Sequence, residues 1–93
     1  MCTMIVEKSE ISGSGKGPQG WFTVQEVAVS YDHALHLPLE NALNIDFLNE
    51  AIGPSARAAV ELTPESAREL AHLILAALAR GEAMGVDPAV AIP

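Results

Sequence analysis

The sequence predicts an α+β domain, a four-stranded antiparallel meander followed by one C-terminal helix that packs on one sheet face. Apolar residues alternate with polar ones most cleanly in "ALNIDFL", where Leu43, Ile45 and Phe47 share one side and Asn44 and Asp46 the other. Stretches rich in glycine and proline punctuate the strands. From Thr63 onward the apolar spacing changes to that of a helix. Strands followed by a helix make a two-layer domain, with the helix covering the sheet.

Residues 3–11 form the first expected strand, with Met4, Ile5 and Val6 available for packing. The segment "SGSGKGPQ" holds three of the seven glycines and a proline, and is expected as a hairpin connection rather than as strand or helix. Residues 20–32 give a long second strand whose phase changes: Phe22 and Val24 face one way, Val27, Val29 and Tyr31 the other. A bulge around Gln25 and Glu26 is the expected cause. Residues 42–48 and 56–62 supply the third and fourth strands, joined by the turn "NEAIGPS". In the fourth, Ala56, Ala58, Val60 and Leu62 face one side.

The helix is expected over 64–80. Thr63 offers an N-cap oxygen, Pro64 suits the first helical position, and Glu65 complements the positive end of the dipole. Gly81 or Gly85 ends it. Leu70, Leu73, Ile74, Ala77 and Leu78 form the stripe expected on the sheet. The opposite side begins polar with Glu65, Arg68, Glu69 and His72, then turns apolar at Leu75, Ala76 and Ala79, which predicts a subunit interface. The tail, residues 81–93, ends in the apolar "VDPAVAIP", expected to cover the sheet or reach a neighbour.

Ninety-three residues make a single domain, 1–93. The hydrophobic share, 49%, is high for so small a chain and points to a homo-oligomer, with a dimer as the simplest case. A net charge of −7, with the five basic residues scattered, argues against nucleic acid and against an anionic membrane surface. No run approaches the roughly 18 apolar residues of a membrane span, and "MCTMIVEKSE" turns charged too early for a signal-peptide core. With one cysteine, Cys2, a cytoplasmic location is expected.

The chemistry concentrates in "YDHALHLPLENALNIDF". His33 and His36 point to opposite faces if the strand runs through both, and converge only if the chain turns between them, a turn that Pro38 favours. Two imidazoles with one carboxylate, from Asp32, Glu40 or Asp46, then make an open site for a divalent transition metal, zinc or iron before nickel or copper. Such a metal polarises a small substrate or activates water. The plainer reading is a solvated turn of an acidic protein. Lys16 and Trp21 are the expected contacts to a small-molecule ligand, although "GSGKGPQG" lacks the Ser or Thr and the following helix of a phosphate loop. Cys2 has no neighbouring positive cluster to favour its thiolate, and reads as a small residue at a strand start.

Together the segments "MCTMIVEK", "GSGKGPQGWF", "YDHALH", "LNIDFLN" and "RAAVELTPESAREL" resemble a small family of bacterial proteins, mostly from actinobacteria. The resemblance covers nearly the whole chain and implies a compact bacterial domain, with no activity attached. Two functions follow from the residues. One is the metal site above; the other is a non-catalytic binding or assembly module that uses the apolar helix face and the tail.

Overall fold

The structure is a computed structural model that describes residues 5–85, so Cys2, the start of the first expected strand and the "VDPAVAIP" tail lie outside the described residues. Strands β1 (Ile5–Gly17), β2 (Gly20–His33), β3 (Asn41–Leu48) and β4 (Arg57–Leu62) form one sheet in the order β1-β2-β3-β4, and α1 (Pro64–Ala83) follows. All three strand pairings are antiparallel. The expected order and class are those observed.

Two details of the hairpin differ from expectation. The glycine-rich segment is not a loop: β1 continues through Gly17, and only Pro18 and Gln19 turn. Gly13, Gly15 and Gly17 alternate along the strand and stand opposite Val24, Phe22 and Gly20. Without side chains they leave room for Phe22 and Val24 on the same face. A Cβ at Gly15 would lie 3.1 Å from Val24 Cγ2, and one at Gly17 would lie 3.0 Å from the Ser55 carbonyl oxygen and 3.1 Å from that of Arg57. The end of β1 thus curls against the start of β4, an approach tighter than an ordinary Cβ contact and eased by glycine.

The bulge lies at the expected level but on the other strand. Ile11 and Ser12 of β1 stand opposite Gln25 alone, between the Glu10↔Glu26 and Gly13↔Val24 pairs. β2 stays regular, so its two apolar sets occupy opposite faces, Phe22 and Val24 inside the curl and Val27, Val29 and Tyr31 behind it. Among the described residues Val24, Ala42 and Ala56 are the buried apolar ones, with Asn49 also buried. Asn49 anchors the β3–β4 turn: its amide donates to the Ala56 carbonyl at 3.1 Å and its side-chain Nδ2 to the Thr23 carbonyl at 2.9 Å.

The face behind the curl is apolar across three strands. Its rungs are Val27–Phe47–Ala58, Val29–Ile45–Val60 and Tyr31–Leu43–Leu62, and none of these residues is buried. The opposite face carries Ala28–Asp46–Ala59 and Ser30–Asn44–Glu61.

α1 starts as expected. Thr63 is the N-cap, its Oγ1 accepting from the Ser66 amide at 3.2 Å, with Pro64 and Glu65 in the first turn. It passes through Gly81, and Gly85, at φ +78°, follows the C-cap Met84. Its packing departs from expectation. The stripe meant for the sheet is exposed, Leu73 at 57%, Ile74 at 52% and Leu78 at 60%, and the helix has no buried residue. Only its first turns meet the sheet, where Pro64, Ala67 and Ala71 face Tyr31 and Leu43. The reason is the connection: Thr63 alone joins β4 to α1, too little chain for the helix to turn back along the apolar face.

Gly17→Ala is expected to lower stability by about 1–3 kcal/mol, because backbone rather than a flexible side chain opposes the new methyl group. Gly13→Ala, with nothing within 4 Å of its Cβ, serves as the control. Paired urea titrations that lower both midpoints equally would contradict this account of the curl.

Candidate functional site

The connection between β2 and β3, residues 34–40, is where the histidines sit, and one carboxylate organises it. Glu61 of β4 projects from the polar face and accepts three successive backbone amides: Leu35 at 2.6 Å and Leu37 at 2.7 Å, with His36 at 2.9 Å. Those hydrogen bonds, Leu35 first and Leu37 next, hold its carboxyl below the usual range, and the charge of His36 adds to them. Glu61 is not marked out by the local sequence. Its signal was a carboxylate on a strand, but its partners lie 24 to 26 residues earlier, beyond any local pattern.

The expected metal ligands are placed as follows. Asp32 Oδ1 accepts from the His33 amide at 2.8 Å, and the Glu40 carbonyl lies 3.4 Å from His33 Nδ1. His36 donates its backbone amide to Glu61, and its ring charge acts on the same carboxylate. Asp46 is engaged by Arg57, whose Nη2 donates to Oδ1 at 2.7 Å and Nε at 3.0 Å. It pairs with Ala28, four residues before Asp32, or about 13 Å along the strand. Among the described residues no three of His, Cys, Asp and Glu gather to hold a metal ion.

Lys16 and Trp21 pair across the hairpin, and Trp21 is 72% exposed. His33 lies twelve positions beyond Trp21 along β2, roughly 40 Å of strand, so the two sets do not form one site in one chain.

A second polar feature lies at the bulge. An open cleft of about 650 Å³ is lined by Glu10, Ser12, Gln25, Glu26, Asn49 and Glu50, among others. Glu10 and Glu26 are directly opposite, a like-charge pair that opposes strand pairing. Asn49 Oδ1 is buried there without a hydrogen-bond partner.

The largest unsatisfied feature is apolar. The β2–β4 face is half-buried at most, Val60 is 43% exposed, and α1 adds Leu70, Leu73, Ile74, Leu75 and Leu78. No helix among the described residues is long and apolar enough to cross a membrane. The exposed apolar surface thus extends over one sheet face and over a separate helix.

A protein-family model, described as a family of unknown function (DUF6295), matches residues 1–87. No curated protein and no solved structure matches the chain.

Because the Glu61 carboxyl is lowered in the folded state, its clamp stabilises fully above the ordinary glutamate pKa, about 4.3, and the contribution is lost as pH falls through the lowered folded value. Glu61→Gln is expected to speed amide exchange at Leu35, His36 and Leu37 near neutral pH and to flatten the acid side of the stability profile. Unchanged exchange in the variant would refute the clamp. Glu10→Lys, which sets opposite charges across the hairpin, is expected to stabilise by about 0.2–1 kcal/mol at low salt and less at high salt, read by thermal melts in both.

Proposed function

The chain belongs to the DUF6295 family, a family of unknown function, and we propose that it is a non-catalytic assembly module that works as a homodimer. The observation that carries this is the state of α1, a 20-residue helix with no buried residue and with leucine or isoleucine at 70, 73, 74, 75 and 78. A helix apolar on more than one side is stable when other protein surrounds it. The single cysteine fits a reducing compartment, and on that ground we assign the dimer to the cytoplasm.

A divalent transition metal is the second reading, with zinc or iron ahead of nickel or copper. In its favour is the Glu61 clamp, which fixes the short loop between His33 and Glu40 and so holds both imidazoles on restrained backbone. Asp32, Glu40 or Asp46 is the oxygen donor in this reading, and a donor from a second subunit completes the set. A bound metal then serves a small substrate, with Lys16 and Trp21 from the neighbouring chain as contacts.

Two measurements separate the readings. Light scattering on the full chain is expected to give twice the 9.8 kDa chain mass, and Leu73→Glu with Leu78→Glu is expected to give a monomer or an unfolded chain. A monomeric native protein at micromolar concentration would end the assembly reading. Elemental analysis after incubation with each metal salt tests the other: about one metal per subunit or per dimer, lost in His33→Ala/His36→Ala, supports it. Metal-free protein in every case removes it.

A further inference from the structure

Resting on the homodimer reading, we propose its geometry: the two chains exchange helices, so that α1 of each copy lies across the apolar sheet face of the other. The chain carries two apolar surfaces that suit each other and cannot meet. One is the β2–β4 face centred on Ile45 and Val60; the other is the α1 stripe around Ile74 and Leu78. Thr63 alone joins β4 to α1, and the helix reaches its own sheet only at the Tyr31–Leu43 end.

The dimensions agree. The apolar face spans three strands, about 10 Å between its outer axes, which is the width of one helix with its side chains. Along the strands, Val27 to Tyr31 covers about 13 Å, and along α1 Leu70 to Leu78 rises about 12 Å.

Area points to the same occupant. The chain exposes 7308 Å², whereas surface scaling for a compact 9.8 kDa monomer gives about 5,200 Å². The area covers all 93 residues, twelve of them outside the described range, and even half of the excess, about 1,050 Å², falls within what each subunit of an obligate dimer buries, roughly 1,000–2,500 Å².

Symmetry selects exchange over the simpler dimers. Pairing sheet on sheet leaves Leu73, Ile74 and Leu78 in water, and pairing helix on helix leaves Ile45 and Val60 there. Under a two-fold axis, helix on sheet occurs twice and covers both surfaces in both copies. The apolar back of α1, with Leu75 and Ala79, then lies near the axis, where the sequence pattern expected an interface.

The test uses the full chain with Cys2→Ser, carrying either Ile45→Cys or Ile74→Cys, the two variants co-expressed with different tags and treated with a short bis-maleimide. Exchange predicts a cross-link between unlike chains, in roughly half of all dimers by random pairing, and none in either variant alone. Val60→Cys with Leu78→Cys is a second pair, so that one poorly folded variant does not decide the matter. Cross-links confined to Ile74→Cys alone or to Ile45→Cys alone overturn exchange in favour of helix-on-helix or sheet-on-sheet pairing, while leaving the homodimer standing. A chain that is monomeric by light scattering and yields no cross-link overturns the homodimer and exchange together.

Discussion

One residue, Thr63, separates the last strand from the helix, and where the apolar surface of this protein ends up depends on it. A longer connection would let α1 fold back over the β2–β4 face and close an ordinary two-layer core. With one residue, and that residue fixed as the N-cap by its bond to the Ser66 amide, the helix leaves the sheet at the Tyr31–Leu43 end. The chain keeps its elements and leaves its core unfinished. Among the described residues Val24, Ala42 and Ala56 are a small buried apolar set.

The two sheet faces are handled in different ways. On the polar face the chain supplies its own cover: the glycine-lined end of β1 curls toward Ser55 and Arg57, and the β2–β3 connection is drawn to Glu61. Both devices use backbone. Glycines admit carbonyl oxygens where a side chain would collide, and a carboxylate takes up amides that have no place in the ladder. On the apolar face no such device exists among the described residues, and its side chains stay partly in contact with water.

The histidine segment shows how tertiary structure changes the meaning of local chemistry. Two imidazoles and several acids in sequence suggest a metal centre, and three acids in or near that segment have partners within the fold. Asp32 receives the next amide, Asp46 holds Arg57, and Glu61 holds the loop itself. Charge that looks available in one dimension is engaged in three, with backbone amides at Asp32 and Glu61 and with a guanidinium at Asp46. The cleft at the bulge is the opposite case, because Glu10, Glu26 and Glu50 are far apart in sequence and are gathered only by the strand register.

By itself the sequence determined the element order, the strand in "ALNIDFL", the helix start at Thr63 and Pro64, and the apolar character of both sides of α1. These are local properties, set by alternation, caps and periodicity over a few residues. Tertiary structure decided that "GSGKG" is strand and not loop, that the bulge falls on Ile11 and Ser12, and that Glu61 reaches back to Leu35, His36 and Leu37. It also decided that the helical stripe leaves its own sheet uncovered. Each of these depends on which backbone lies beside which, and the direction of a chain after one extended residue is a matter of geometry that residue types do not encode.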